Sequence, residues 1–197
     1  MNKLILLGGG GHCKACIDVI ERTGEFTIHG ILDRPEHRDS TVLGYPVVGT
    51  DEEIESFVRE GFSFLITVGQ VHSPLIRIRL YETLKRLGAT IATVVSPRAY
   101  VSPHALLGEG TIVMHDALIN AGAIVGSNCI INTKALVEHD CRIEDHCHLS
   151  TGSILNGNTL IQRGTFFGSN ATGKEGSVSE AEAFIKAGSV FKGANHG

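Results

Sequence analysis

Two adjacent His-Asp pairs, His115-Asp116 and His139-Asp140, carry the residue types of general-base catalysis. An imidazole titrates near neutrality and can take the proton released when an amine or hydroxyl attacks a carbonyl. A carboxylate beside it can fix its tautomer and stabilise the imidazolium. His104, His146 and His148 lie in the same half of the chain. Near the N-terminus, Gly8 to His12 (GGGGH) offers free backbone N–H groups that can cradle a phosphate. Asp33 can accept ribose hydroxyls or a base N–H, and Gly69-Gln70 stands at a third such point. The G-x-G-x-x-G dinucleotide fingerprint is not met: Gly8 and Gly10 fit, but the third glycine place is Cys13. Cys13 and Cys16 have C-x-x-C spacing. No second pair or thioredoxin pattern accompanies them, so they read as packing thiols.

The histidines are positioned by a six-residue lattice from Ala99 to Phe191. A small residue recurs at Ala99, Ala105, Thr111, Ala117, Ala123, Cys129 and onward to Ala171, with an apolar residue two places later (Val101, Leu107, Val113 and so on). Residues two apart on a strand face the same side, here the inside. Each hexapeptide supplies one short strand and one corner, and three sides close a coil of 18 residues. The fold class is therefore a parallel β-helix preceded by an α/β segment, and its interior positions are apolar. Cys129, Cys141 and Cys147 fall on small inward places. Beyond Ala171, Gly173 and Ser179 occupy the apolar slots before Ile185 and Phe191 restore them, so 173–182 reads as a looser coil or a loop kept in register.

The lattice separates the two pairs. They are 24 residues apart, one coil plus one side, and so lie on different sides of the prism. One coil from His139 stand Ala121 and Gly157, both small; one coil from His115 stand Pro97 and Thr133. The space around His139 makes it the better base. His104 and His146 read as solvated corners. His148 lies half a coil from His139, so the two can meet only between subunits.

Residues 1–95 alternate strands and helices: strand Lys3 to Leu7, helix Cys13 to Arg22, strand Phe26 to Leu32, loop or edge strand Val42 to Val48, helix from Thr50-Asp51 to Glu60, strand Phe62 to Val68, helix Ser73 to Leu87 and strand Ile91 to Val95. This pattern predicts a small Rossmann-like parallel sheet over 1–95, with the β-helix over 96–197. Ligands of such a sheet bind at the carboxyl ends of its strands. With a net charge of −4 and no basic patch, the chain lacks the electrostatic footprint of a nucleic-acid partner. The apolar run at the N-terminus is too short for a signal-peptide core or membrane span and reads as a buried strand of a cytoplasmic protein.

GGGGH after the first strand, ILD at the second, and NTKALVEHDCRIEDHCHLSTGSILNGN in the lattice together resemble the NeuD/PglD-type bacterial sugar acyltransferases. The resemblance spans nearly the whole chain. It implies a left-handed β-helix, a homotrimer with active sites between subunits, and acetyl-CoA as co-substrate with no metal. His139 would be the general base and Asp140 its orienting carboxylate. His148 would be a second active-site histidine, and Asn132 and Gly157 would line the thioester. Gly11, His12, Asp33, Arg34, Gly69 and Gln70 would hold the nucleotide sugar, Gln70 in a loop over the sugar. Coenzyme A would run near the last coils. The chain departs from the family at Ile143-Glu144 and Ile161-Gln162, where Ile-Gly turns are usual, and in its tail Lys192 to Gly197. The reaction implied is N-acetylation of the 4-amino group of a UDP-linked amino sugar. The alternatives are O-acetylation of a sialic acid, a γ-carbonic-anhydrase-like zinc enzyme and a non-catalytic nucleotide-sugar sensor.

Overall fold

A computed structural model describes residues 2–193; the last four residues of the tail lie outside the described residues. The N-terminal sheet has the order β3-β4-β2-β1-β5-β6, parallel except for the β3/β4 edge. Its strands are β1 (Asn2–Leu7), β2 (Phe26–Leu32), β3 (Thr41–Val42), β4 (Tyr45–Gly49), β5 (Ser63–Ile66) and β6 (Thr90–Ile91). Leu4 to Leu7 are wholly buried because β1 is central and covered on both faces. Helix α1 (Gly11–Thr23) ends at Gly24, whose φ of 66° serves as a left-handed cap. Before α2 (Ile54–Arg59), Thr50 and Glu53 form a capping box. Helix α3 (Leu75–Arg86) covers the other face of the sheet, where Leu80 and Leu84 join Phe64 and Ile66.

The expected strand over Ile91 to Val95 is two strands in two sheets. Ile91 ends the α/β sheet, whereas Val94–Val95 pairs with Ile112–Val113 and is already a rung of the β-helix. From there two-residue strands recur every six residues on three faces of a left-handed parallel β-helix. The first face carries Val94–Val95 to Phe184–Ile185, the second Tyr100–Val101 to Val190–Phe191, and the third Leu106–Leu107 to Leu160–Ile161. Inward aliphatics and small residues, the three lattice cysteines among them, fill one continuous core.

After the first two corners, each corner contains one residue in the left-handed region. These run at six-residue intervals from Gly110 through Asp116, Gly122, Asn128, Lys134, Asp140 and His146 to Gly188. Gly, Asn and Asp dominate because they tolerate that conformation. The series continues unbroken through Gly176 and Glu182. The coil at 173–182 therefore stays in register, but Val178 makes only a bridge to Leu160 there. Ser179 is buried and donates no apolar surface; its hydroxyl accepts from the N–H of Gln162 instead.

The two parts are packed together through α1. Cys13, Cys16, Ile17 and Ile20 share a core with the outward Val94, Ile112 and Ile130 of the first face. Both thiols of the C-x-x-C are buried and unpaired, and burial pushes the Cys13 thiol up to about 11. They serve as packing groups.

Candidate active site

His139 and Asp140 sit on the corner joining the second face to the third. The left-handed φ of 59° at Asp140 turns its carboxylate back onto the preceding ring. Oδ2 of Asp140 lies 2.9 Å from Nδ1 of His139. A carboxylate can only accept, so Nδ1 carries the hydrogen and Nε2 presents a lone pair outward. The hydrogen bond to Asp140 raises the pKa of His139 above the ordinary 6.5. Both side chains are exposed in the single chain. Glycines one coil away on either side make room for them. A Cβ on Gly157 would lie 2.7 Å from Cε1 and Nε2 of His139, and one on Gly122 would collide with the Asp140 carboxylate. Among the described residues the N–H of Gly157, beside the ring, has no acceptor.

His115 and Asp116 form no such pair. His115 Nε2 meets Asp18 of α1 at 2.8 Å and its Nδ1 meets Ser96 at 2.6 Å, while Asp116 pairs with Arg98 at 2.7 Å. This histidine clasps α1 to the first corner. His104 is exposed as expected.

His148 lies on the first face, an outward position covered by the α/β domain, and is only 5% exposed. Its Nδ1 donates to the backbone carbonyl of Gln70, and its Nε2 accepts from Nδ2 of Asn132 at 3.1 Å. Asn132 is held in turn by the N–H of Thr133, 2.8 Å from its Oδ1. Burial above all, opposed by the Gln70 carbonyl and aided by the charge of Arg77, pushes the pKa of His148 down to about 4. It is a neutral imidazole with its lone pair fixed at Nε2.

Strand ends of the α/β sheet enclose a cavity of about 730 Å³. One side is the loop from Gly8 to His12 at the N-terminus of α1; Asp33, Arg34 and His37 form another; Thr50 to Glu52 and the apolar Val71, Ile76 and Leu80 complete it. Gly8 must be glycine on two counts, a φ of 102° and contact with Val68. A Cβ on Gly9 would lie 2.7 Å from Asp33 Oδ2. Burial pushes the Asp33 carboxyl up, but hydrogen bonds from His37 (2.8 Å) and from the N–H groups of Arg34 and Gly9 outweigh it and hold the group ionised. His12 faces the cavity from the first turn of α1. Its Nε2 is buried with no partner among the described residues, and burial, with Arg77 and His148, pushes its pKa down to about 3. The His12 and His148 rings are 6.3 Å apart.

Residues 3–84 match the family model of the PglD N-terminal domain. The acetyltransferase domain of PglB from Neisseria gonorrhoeae, solved with acetyl coenzyme A, is 31% identical and superposes with a TM-score of 0.91 over 98% of this chain and 92% of that one. PerB from Caulobacter crescentus, solved with CoA and GDP-perosamine, is 32% identical, with a TM-score of 0.88 over 98% and 90% of the two chains. WeeI from Acinetobacter baumannii shares the fold at 19% identity, with a TM-score of 0.77 over 98% and 97%. No curated protein sequence matches the chain.

The chain belongs to the NeuD/PglD family of sugar acyltransferases.

Of the site residues expected for this family, Gly11, His12, Asp33, Arg34 and Gly69 line one cavity. Gln70 does not. It is 2% exposed and its Nε2 donates to the carbonyls of His146 and Gly164, so its side chain turns into the β-helix while its neighbours Gly69 and Val71 line the cavity. His146 is not a solvated corner either. α3 lies across it, Tyr81 packs edge-on at 5.2 Å, and Nδ1 meets Asn128 at 2.9 Å. Burial pushes its pKa down to about 4. Sequence reasoning missed His37, four residues after Asp33, and Arg77, Tyr81 and Lys85, which dock α3 on the β-helix. Their spacing of four was the available signal. At the unusual corners, Glu144 accepts from the N–H of Arg163 at 2.9 Å. Among the described residues, no group of three or more His, Cys, Asp and Glu side chains is placed to hold a metal, and no helix is long and apolar enough to cross a membrane.

Proposed function

We propose that this acyltransferase moves an acetyl group from acetyl-CoA to the 4-amino group of a UDP-linked amino sugar bound in the N-terminal cavity, with His139 as general base. The observation that carries the reading is the His139–Asp140 dyad, whose free Nε2 lies beside the unengaged N–H of Gly157. The neutral amine attacks the thioester carbonyl carbon. As the C–N bond forms, its proton passes to His139 Nε2, and Asp140 stabilises the imidazolium. The N–H of Gly157 faces the oxygen that gains charge. Collapse expels the thiolate of coenzyme A, which the proton neutralises. Positioned base catalysis of this kind is worth roughly 10²–10⁴-fold. The structures of PglB with acetyl coenzyme A and PerB with CoA and GDP-perosamine support the donor and the class of acceptor. Gly11, His12 and Gly69 would contact the diphosphate and sugar, Asp33 and Arg34 the nucleoside and phosphate, and Asn132 and His148 the thioester region.

The reading includes a homotrimer. The first face of the β-helix is covered by the α/β domain, and the dyad occupies the corner opposite that face. One chain therefore cannot bring His139 to its own cavity, whereas a neighbour's corner can reach it. Apolar Tyr100, Leu106, Ile124 and Val190 on the second and third faces are 42–67% exposed, a surface suited to burial between copies.

The test is incubation with acetyl-CoA and a panel of UDP- and GDP-linked 4-amino sugars, free and CMP-linked sialic acids alongside, followed by mass spectrometry. Amide formation on a UDP-sugar is expected. His139→Ala should lose at least a hundredfold in turnover and keep nucleotide-sugar binding. Transfer to GDP-sugars alone would overturn the choice of base, and transfer to sialic acids alone would overturn the acceptor class.

A further inference from the structure

Arg77 is a buried cation without an anion. It is 1% exposed, at the start of α3, and among the described residues no carboxylate pairs with it. Its guanidinium is spent on carbonyls. Nη1 donates to Ile66 at 2.9 Å and Val68 at 2.7 Å; Nη2 donates to the backbone oxygen of Asn128 at 3.1 Å and to its Oδ1 at 2.7 Å. Asn128 returns a hydrogen bond from Nδ2 to the Arg77 carbonyl at 3.2 Å. Nε has no partner.

Dipoles of carbonyl groups offset part of the desolvation cost, but an unneutralised charge in the interior remains unfavourable. Tying α3 to the β-helix does not require a charge, since Tyr81 and Lys85 on the same helix stripe already reach Glu109. The position of the charge is informative. Val68, whose carbonyl Arg77 holds, lines the cavity and packs against Gly8 of the glycine loop. Ile76, Arg79 and Leu80, the neighbours of Arg77 on α3, line the same cavity. The groups facing Arg77 from α1 and the β-helix, His12 and His148, are imidazoles and supply no negative charge; the cavity's carboxylates, Asp33, Asp51 and Glu52, line it from the segments after β2 and before α2, and Arg34 and Arg79 add positive charge there.

We infer that the diphosphate of the bound nucleotide sugar is the counter-charge of Arg77, which acts as a positioning residue by making the cavity floor electropositive while holding it to the β-helix. The inference rests on the nucleotide-sugar reading above. A field acting across one layer of backbone distinguishes ligands by charge and not by base.

The experiment is calorimetric titration of the full chain with UDP and GDP and with uridine and guanosine. Wild type is expected to bind a diphosphate more tightly than its nucleoside. Arg77→Met and Arg77→Gln should weaken diphosphate binding about tenfold or more and leave nucleoside binding within about twofold. Arg77→Lys should keep most of the diphosphate preference. A folded neutral variant that keeps the full preference, or loses both ligands equally, overturns the inference. Should the neutral variants fail to fold, loss of the preference in folded Arg77→Lys overturns it and retention supports it. A wild type that binds neither diphosphate overturns the proposed function itself.

Discussion

The imidazole of His139 lies in the space that a side chain on Gly157 would take, with Cε1 and Nε2 each 2.7 Å from an ideal Cβ there. The backbone of Gly157 is not in the left-handed region, so alanine is conformationally acceptable at this position. Gly157→Ala should therefore leave the melting temperature within a few degrees of wild type but swing the ring off its corner. A drop in kcat of roughly ten- to a hundredfold is expected, since misplacement of about 1 Å costs about that much. In a His139→Ala background the same change should cost nothing further. Additive losses would show that Gly157 acts by another route.

The dyad also sets a pH dependence. Asp140 raises the pKa of His139, so the active unprotonated base is lost as pH falls through a value above 6.5. Asp140→Asn removes the carboxylate charge. The acid limb of kcat should then move to lower pH, toward 6.5, while the plateau rate falls because the imidazolium is less stabilised. A limb that stays in place would assign the titration to another group.

How much of this was legible in the sequence differs between the two halves. The lattice places the β-helix strands from Tyr100 onward, because each hexapeptide is both a local and a global signal, and it locates His139 and His115 on separate corners. It could not show the fates of His146 and Gln70. Lattice register says which residues point outward, but only the docking of α1 and α3 on the first face turns an outward corner into an interior. Arg77 was hidden for the same reason: on an amphipathic helix it reads as a solvated residue, and its partners are backbone carbonyls that carry no sequence identity. The switch from Ile91 to Val94 between two sheets was lost in a single apolar run. Asp140 differs, since Gly, Asn and Asp recur at its place in the hexapeptide and mark a left-handed corner.

The docked histidines predict an acid-labile fold. His146 and His148 have folded pKa values of about 4, and His12 about 3, against 6.5 when unfolded. Between these limits the unfolded state binds more protons, so stability is complete above about pH 6.5 and is lost as pH falls toward 4. His148 alone contributes up to ~3 kcal/mol at ~1.4 kcal/mol per unit. Denaturant midpoints should fall steeply over this range, and His148→Gln should flatten the fall. An equal slope in wild type and variant would place the protons elsewhere.

The last prediction separates binding from catalysis through the oligomer. Leu118 and Leu136 point outward on the second face, half-buried in the single chain and one coil apart, next to the corner that carries the dyad. A glutamate there retains strand pairing, which is backbone-made, but sets a charge in any contact between copies, where an unpaired buried charge costs several kcal/mol. Leu136→Glu should elute as a monomer by light scattering and lose acetyl transfer by at least a hundredfold. Its affinity for the nucleotide should not change, because a single chain forms the whole N-terminal cavity. Mixing Leu136→Glu with wild type should restore nothing to the variant's own corner. A monomer that still acetylates would show that His139 reaches the cavity of its own chain, against the placement of the dyad opposite the covered face.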